Sequence, residues 1–327
     1  MELLNQDVIE QIKNESVRFH LLQHEVQKVI VGNENILSFV MIALLCDGHI
    51  LLEGVPGVAK TTMIKAITQA LGLHFKRIQF TPDLLPADLI GSLIYNPKTQ
   101  EFETKKGPLF ANLILADEIN RTPAKVQAAL LEAMQEQQVT IGSHTFELEK
   151  PFLVFATQNP IEQEGTYRLP EAQVDRFMFK LLIEYLSIAQ EKQLLQRAQQ
   201  QVHIQQVLTK QDIFTAQELV QKIYVDDRVM EYIVNVVFAT RNPSAFKLSQ
   251  LKPLIQYGVS PRATLGLYQA AQAHAFLKKR HFVTPDDVKA VAHPLLRHRI
   301  SLSYEAEADN IKPDEIVTTI LQTVSAP

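Results

Sequence analysis

The sequence lacks the features of secreted, membrane-spanning and disulfide-stabilised proteins. Its single cysteine, Cys46, excludes an intramolecular disulfide, which is typical of a reducing compartment. No apolar run reaches the roughly 20 residues that a membrane-spanning helix needs. The segment from Met1 to Glu15 has neither the basic start nor the apolar stretch of a secretory leader. We therefore expect a cytoplasmic protein that does not insert into a membrane.

The sequence also lacks a strong excess of charge of either sign. Its 32 basic and 36 acidic residues are interspersed and give a net charge of −4. Such a balance offers no extended positive field to nucleic acid or to an anionic membrane, so we expect no nucleic-acid partner. What is present is apolar material, 46% of 327 residues, which is enough for about two domains with their own cores.

Short apolar runs rich in β-forming residues alternate with helical patterns through residues 1–185, which predicts a parallel sheet covered by helices. The predicted strands are Ile50–Leu52, Arg77–Phe80, Leu113–Asp117, Phe152–Thr157 and Phe177–Ile183. The predicted helices among them are Asn35–Cys46, Thr61–Leu71 and Ala124–Gln137, the last capped by Thr122-Pro123. Two hairpins, at about 93–108 and 139–151, interrupt this α/β domain, and the second turns at Gly142-Ser143.

From about Leu186 the pattern changes to helices only. Helices are predicted at Gln190–Gln201, Thr215–Tyr224, Asp227–Ala239, Thr264–Lys279 and Pro285–Ala292. The sequence therefore predicts an α/β domain at 1–185 followed by a smaller all-helical domain at 186–327.

A phosphate-binding loop is predicted between the first strand and the helix after it. The strand ends in Glu53, and the loop reads Gly54-Val55-Pro56-Gly57-Val58-Ala59-Lys60-Thr61, with Thr62 next on the helix. Backbone N–H groups of such a loop cradle phosphates, the lysine reaches the β- and γ-phosphates, and the threonine hydroxyl ligates Mg²⁺. The expected ligands are ATP and Mg²⁺.

Ala59 departs from the usual loop pattern, which has glycine at that position. If the position required a left-handed backbone, alanine would cost about 1–2 kcal/mol. Either this loop avoids positive φ there, or nucleotide affinity is reduced.

Polar side chains follow two later strands. Asp117 and Glu118 end the strand Leu113–Asp117, and because strand side chains alternate, Asp117 can support the metal while Glu118 polarises an attacking water. Asn159 follows the next strand and could hold that water or the γ-phosphate, although Asn159-Pro160 is equally a plain turn signal.

These motifs together resemble those of AAA+ ATPases, and most closely the MoxR family. The resemblance spans nearly the whole chain and rests on Val31-Gly32, Gly54 to Thr61, Ala116 to Arg121, Ala156 to Pro160, Leu169 to Phe177 and Ser260 to Ala263.

The resemblance implies further roles. It adds Val31 and Gly32 to the nucleotide-binding residues, identifies Asn159 as sensor 1, Arg176 as the arginine finger and Arg262 as the sensor 2 arginine. It identifies the two hairpins as the helix-2 insert and the pre-sensor-1 insert. It also places Arg176 across the sheet from the helix that follows Lys60, so that Arg176 would act on the nucleotide of a neighbouring subunit.

Each arginine also has an ordinary structural explanation. Arg176 could pair with Asp175 on the surface, and Arg262, at a predicted helix start, could form a surface or interdomain salt bridge. His49 is more often a packed histidine than a ligand. The basic cluster Arg297-His298-Arg299 could face a neighbouring subunit or end a solvated helix.

The resemblance implies an ATPase that works as a homo-oligomeric ring, a hexamer by expectation, and remodels or activates a protein client that can carry a von Willebrand factor A domain. An alternative is the ATPase motor subunit of a metal-chelatase-like complex. A nucleic-acid motor is disfavoured because the sequence has no basic stripe. A switch that never hydrolyses ATP is disfavoured because Glu118, Asn159 and Arg176 are present together.

Overall fold

The computed structural model of the chain describes residues 6–32, 34–54, 60–158, 167, 169–197 and 202–327. Its strands are β1 (Ile50–Gly54), β2 (Phe75–Gln79), β3 (Gly91–Asn96), β4 (Glu101–Lys106), β5 (Leu113–Asp117), β6 (Gln138–Ile141), β7 (His144–Glu147), β8 (Leu153–Gln158), β9 (Phe179–Ile183), β10 (Ile255–Tyr257) and β11 (Ser301–Leu302). Its helices are α1 (Gln6–Gln27), α2 (Glu34–Leu45), α3 (Lys60–Leu71), α4 (Pro86–Ile90), α5 (Ala124–Glu136), α6 (Glu171–Val174), α7 (Ile188–Arg197), α8 (Lys210–Gln221), α9 (Asp227–Arg241), α10 (Pro261–Leu277), α11 (Pro285–Leu296), α12 (Tyr304–Ala308) and α13 (Pro313–Thr323). Short 3-10 turns lie at Ile119–Arg121, Pro243–Phe246 and Ser249–Leu251.

Five strands form one parallel sheet in the order β2-β5-β8-β1-β9. These are the five predicted strands, with ends shifted by no more than two residues. The three inner strands are almost wholly buried, as expected for a parallel sheet with helices on both faces. The carboxyl ends of β1, β5 and β8 consequently meet at one edge of the sheet.

Alternation of side chains divides the core between the two faces of the sheet. On β5, Ile114 and Ala116 pack with α4 and α5, while Leu113 and Leu115 pack on the opposite face. The core that contains Leu113 and Leu115 also includes residues of α1, α2, α3 and the helices of the carboxyl-terminal part. The sheet and the helical part are therefore joined by apolar packing.

Two antiparallel hairpins are present. Strands β3 and β4 pair antiparallel from Gly91 opposite Lys106 to Asn96 opposite Glu101, and β6 pairs with β7 around a turn at Gly142. Gly142 has φ +62°, and a Cβ there would lie 2.5 Å from Leu93 Cδ1. Glycine thus allows Leu93 of the first hairpin to pack on the turn of the second, so the two hairpins are in contact.

The helical carboxyl-terminal part is also confirmed, with one addition. Strands β10 and β11 form a short antiparallel pair inside it. No helix in the described ranges is long and apolar enough to cross a lipid bilayer.

The helix α1 was not predicted, and it packs against the helical part. Phe19 contacts Phe276 edge-to-face at 5.7 Å between ring centroids, and His20 Nε2 lies 2.8 Å from the Leu277 carbonyl oxygen.

A smaller difference from the prediction concerns the start of α5. The Thr122 hydroxyl donates to the Ile119 carbonyl at 3.1 Å instead of capping the helix, because Pro123 stands between Thr122 and the first helical residue.

Candidate functional site

Lys60 opens α3 at the carboxyl edge of the sheet, next to the end of β1. Its Nζ donates to the Gly54 carbonyl oxygen at 2.7 Å. Burial lowers the pKa of Lys60, and the carboxylates of Asp117, Glu118 and Glu53 oppose that effect. The predicted lysine and the two predicted acids are therefore close enough to interact electrostatically, as the chemistry of a phosphate site requires.

The rest of the predicted loop is described in part. Gly54 has no room for a side chain, since a Cβ there would lie 2.5 Å from the Ile183 carbonyl oxygen on the neighbouring strand β9. Thr61 is half-buried and Thr62 is exposed in the first turn of α3. The predicted loop residues Val55, Pro56, Gly57, Val58 and Ala59 lie outside the described residues, and so does Asn159.

Asp117, the predicted metal ligand, has both carboxylate oxygens engaged. Oδ1 accepts a hydrogen bond from Thr157 Oγ1 at 2.7 Å. Oδ2 accepts from Arg77 Nη2 at 2.6 Å and from Arg77 Nε at 3.1 Å. The sequence motifs assigned no role to the side chains of Thr157 and Arg77. A usable signal was the alternation of Arg77 and Gln79 on the edge strand β2, which puts both side chains on one face beside Asp117.

Glu118 lies in the left-handed region, with φ 60° and ψ 49°. Its backbone N–H donates to Thr157 Oγ1 at 2.8 Å, and its Oε2 accepts from Gln79 Nε2 at 2.7 Å. Arg121 Nε lies 3.3 Å from the same oxygen. Strand alternation was expected to point Asp117 and Glu118 in opposite directions. That reasoning does not apply, because the strand ends at Asp117 and the turn sets the direction of Glu118.

Val31 and Gly32 lie at the same edge of the sheet as Gly54. Val31 is buried, and Gly32 has φ +72° and is packed so that a Cβ would lie 2.9 Å from Leu186 Cδ2. Leu186 follows the carboxyl end of β9, which pairs with Gly54. Arg197 Nη1 donates to the Gln27 carbonyl at 2.8 Å and so ties α7 to the carboxyl end of α1.

Arg176 and Arg262 lie elsewhere, at the amino edge of the sheet. Both line a cavity of about 270 Å³, together with Asp47, Gly48, His49, Met134, Gln135 and Gln137. His49 precedes β1 and Arg176 precedes β9. At about 3.3 Å per residue, β9 alone separates the two edges by about 13 Å. The separation runs along the strands and not across the sheet, since β9 is the direct neighbour of β1.

Arg176 does not pair with Asp175. No carboxylate in the described ranges pairs with Arg176, and its Nε is buried without a hydrogen-bond partner. Arg262 begins α10 as predicted, and its Nη1 lies 3.8 Å from Asp175 Oδ2 while its Nη2 donates to Gln135 Oε1 at 3.4 Å. The structure therefore brings Arg262 together with Arg176 and not with Lys60 of the same chain.

The cluster Arg297-His298-Arg299 neither ends a solvated helix nor faces outward. Arg299 is 4% exposed and donates to Asp175 Oδ1 at 2.8 Å, and His298 Nε2 donates to the Phe177 carbonyl at 2.9 Å. Burial lowers the pKa of His298 well below 6.5, and the positive charge of Arg299 lowers it further, so the ring is neutral. The cluster joins the helical part to the segment that carries Arg176.

His49 is a packed histidine. It is 5% exposed, its Nε2 donates to the Met134 carbonyl at 3.1 Å, and its Nδ1 accepts from the Val154 N–H at 3.1 Å. Burial lowers the pKa of His49, in agreement with a neutral ring that fixes the entry to β1 against β8 and α5.

The residues at the carboxyl edge fit a magnesium nucleotide. Lys60 would supply a cation for phosphate oxygens, and Thr61 and Asp117 would supply the hard oxygen ligands that Mg²⁺ prefers. The described residues contain no group of three or more His, Cys, Asp or Glu side chains able to hold a metal ion. This donor set therefore suits a metal that takes its other ligands from phosphates and water.

Comparison with known proteins agrees with this geometry. Residues 49–179 match the family model described as "ATPase family associated with various cellular activities (AAA)", and residues 249–320 match that of the AAA lid domain. The chain is 47% identical over 304 residues to chaperone MoxR1 of Mycobacterium tuberculosis, covering 93% of this chain and 81% of that protein. It is 47% identical to protein YeaC of Bacillus subtilis, covering 92% of each.

A crystal structure from Cytophaga hutchinsonii, of a protein proposed to be an ATPase, superposes with a TM-score of 0.92. It shares 46% sequence identity, and the match covers 98% of each chain. These relatives match nearly the whole length of this chain. The match therefore includes β1 and α3, the acidic end of β5 and the helical lid. The chain belongs to the MoxR family of AAA+ ATPases.

Proposed function

We propose that this protein hydrolyses ATP in a Mg²⁺-dependent reaction at sites shared between copies of the chain arranged in a ring. One observation carries the proposal. Lys60, Asp117 and Glu118 lie at the carboxyl edge of the sheet, whereas Arg176 and Arg262 lie at the amino edge. No single chain places all five beside one nucleotide.

Within one chain, each residue of the carboxyl edge has a part to play. Lys60 leaves the Gly54 carbonyl and binds the β- and γ-phosphates, while Val31 and Gly32 border the rest of the nucleotide. Thr61 and Asp117 would hold Mg²⁺, and Asp117 Oδ2 would be available to it only without its hydrogen bonds from Arg77. Bound Mg²⁺ would neutralise charge on the phosphate oxygens.

Glu118 accepts a proton from the attacking water, with Asn159 positioning that water. To do so, the Glu118 carboxylate must leave its contacts with Gln79 and Arg121.

Arg176 and Arg262 of one copy face the phosphates bound by the next. Both are long cations in one cavity, and Arg176 has no anionic partner within the described part of its own chain. A planar guanidinium that stays charged suits the spread negative charge of a transferring phosphoryl group. Because one face meets a different face of the next copy, the contact is head-to-tail, and such a contact forms a ring when the rotation between copies closes. We propose six subunits, as the family resemblance implies.

The ring acts as a chaperone-like machine on a protein client. One relative is named a chaperone, and the β3-β4 hairpin exposes a group of apolar side chains suited to contact a client. These are Leu93, Ile94, Tyr95 and Phe102, the last 69% exposed. A client or partner with a von Willebrand factor A domain is proposed from the family resemblance. A cytoplasmic location is proposed from the single cysteine, and the lack of a nucleic-acid partner from the balanced charge. The alternative, a motor subunit of a metal-chelatase-like complex, would use the same ATP site and is distinguished by the reaction that its partners catalyse.

Mixing two inactive variants tests the shared site. Arg176→Ala should bind ATP normally but hydrolyse it about 10³–10⁵ times more slowly, the range for such arginines in phosphoryl transfer. Glu118→Gln should bind ATP and not turn it over. In mixed rings, an intact Glu118 on one chain meets an intact Arg176 on the next, so activity should return at intermediate ratios.

The control is Arg228→Ala, which removes an exposed arginine that pairs only with Asp226 on the surface. It should retain wild-type turnover. If subunits demonstrably exchange and no ratio restores phosphate release, or if Arg176→Ala is fully active, the shared-site proposal is wrong.

A further inference from the structure

Arg299 binds the chain on both sides of Arg176. Its Nε donates to Asp175 Oδ1 at 2.8 Å, and its Nη2 donates to the carbonyls of Asp175 and Phe177 at 3.1 and 2.7 Å. Its Nη1 donates to the Met178 carbonyl at 3.0 Å and also to the Leu295 carbonyl. All five N–H groups of the guanidinium are used. The backbone that carries Arg176 is therefore fixed by a residue of the lid.

Asp175 makes a second connection to the lid. Its Oδ2 accepts a hydrogen bond from Ser260 Oγ at 2.9 Å. Ser260 caps α10, and its Oγ accepts in turn from the Arg262 N–H at 3.2 Å. The same Asp175 oxygen lies 3.8 Å from Arg262 Nη1. One carboxylate thus orients the first turn of the helix that presents Arg262.

The pairing of Asp175 with Arg299 has an electrostatic consequence. A carboxylate directly before Arg176 would otherwise be the natural partner of that arginine and would hold it back from another anion. Arg299 is 4% exposed and supplies the charge that Asp175 needs in a fixed geometry. Arg176 consequently keeps its guanidinium free of any carboxylate in the described ranges and, with Arg262, lines the cavity at the amino edge.

We infer that Asp175 and Arg299 are positioning residues that hold Arg176 and Arg262 as one anion-binding pair, directed at the phosphates of a nucleotide bound by a second copy of the chain. This inference rests on the proposed function. The contact between the lid and the sheet would then contribute to catalysis, although neither Asp175 nor Arg299 touches the reacting atoms.

The test uses Asp175→Asn in the full-length protein. The amide keeps the shape but loses the charge and one acceptor, so turnover should fall roughly tenfold to a hundredfold, the effect of one hydrogen bond to a charged group. The dissociation constant for ATP at the carboxyl edge of the same chain should not change. Mixing Asp175→Asn with Glu118→Gln should restore activity, as for Arg176→Ala, because the two defects lie on opposite faces of an interface.

The matched control is Asp314→Asn. Asp314 pairs with Arg297 at 3.0 Å, two residues from Arg299, but does not contact Asp175, Arg176 or Arg262. Its turnover should stay near the wild-type value. Should Asp175→Asn fail to fold, Ser260→Ala removes the hydrogen bond to Asp175 together with the cap hydrogen bond from the Arg262 N–H. It should lower turnover in wild type but not in an Arg262→Ala background.

A variant that combines Asp175→Asn with Arg176→Ala and Arg262→Ala distinguishes two explanations. Either Asp175 acts by positioning the two arginines, or its substitution lowers activity in a way that does not depend on them. Single-turnover hydrolysis, followed for hours, should show no loss beyond that of the two arginine variants alone. The positioning role is wrong if Asp175→Asn lowers the rate in that background by the same factor as in the wild-type protein. It is also wrong if Asp175→Asn alone has the wild-type rate. Full activity of Arg176→Ala instead refutes the shared site itself, so the two failures are distinguishable.

Discussion

The lid helices that present Arg262 and Arg299 are held together by a buried carboxylate, Asp287. It is fully buried and accepts from His274 Nδ1 at 2.6 Å and from Arg280 Nη1 and Nη2 at 2.8 and 2.5 Å. It also accepts from the Thr284 N–H and Oγ1 at 2.7 and 2.9 Å. Because His274 belongs to α10 and Asp287 to α11, these five bonds join the end of one helix to the start of the next.

Asp287→Asn replaces one acceptor oxygen with an NH₂ group that faces donors. Breaking a buried ion pair by removing one partner costs about 3–5 kcal/mol, and we expect that loss in the free energy of unfolding. Urea unfolding followed by circular dichroism at pH 7 measures it. The control is Asp226→Asn, which changes an exposed carboxylate at the N-cap of α9 beside an arginine; asparagine caps equally well there, so little change is expected.

The pH dependence provides a second measurement of the same contact. Burial alone would raise the pKa of Asp287, but the hydrogen bonds from His274, Arg280 and Thr284 lower it well below its ordinary value of 3.8. A depressed folded-state pKa means that the stabilisation is complete above the unfolded value and declines as pH falls below about 4. The stability difference between wild type and Asp287→Asn should therefore shrink in acid. A difference at pH 7 no larger than that of Asp226→Asn would refute the reasoning.

Two further predictions concern the ATP site and its partners. Lys60→Ala should abolish ATP binding, because it removes the cation that binds the phosphates, whereas Glu118→Gln should retain binding and lose only turnover. Calorimetric titration with ATP together with phosphate release separates the two variants, and tight ATP binding by Lys60→Ala would contradict the first. Duplex or single-stranded DNA should leave the ATPase rate unchanged near physiological salt, since the net charge is −4. A reproducible severalfold stimulation by DNA would require a nucleic-acid role to be reconsidered.

Local patterns in the sequence predicted most of the sheet domain. The apolar runs of β1, β5 and β8 are nearly continuous because these strands are buried on both faces, and such runs are visible without a structure. The turn at Gly142 and the helix start at Ser260-Pro261 were predicted for the same reason, since each depends on residues adjacent in the chain. The strand order was not predicted, because pairing between strands depends on contacts far apart in sequence.

The contacts that organise the candidate site were the least predictable. Arg77 meets Asp117 across 40 residues, and Arg299 meets Asp175 across 124. In the sequence both arginines look like ordinary polar residues, one on an edge strand and one after a helix. Their roles arise only when the sheet brings β2 beside β5 and the lid packs back on the segment before β9. The helix α1 was missed for a related reason, since it is polar on average and its buried side chains pack with residues distant in the chain, such as Phe276.

The helical carboxyl-terminal part contacts both edges of the sheet, and these contacts bear directly on how a ring could coordinate its sites. At the carboxyl edge, Leu186 and Gln190 pack on Gly32, and Arg197 holds the end of α1. At the amino edge, Ser260 and Arg299 hold Asp175 beside Arg176. A continuous apolar core joins these helices to the sheet. In the proposed ring, a nucleotide that shifts Gly32 therefore acts on the same packed unit that presents Arg176 and Arg262 to the next subunit. Tight packing transmits such a shift, because a close-packed core cannot absorb it locally.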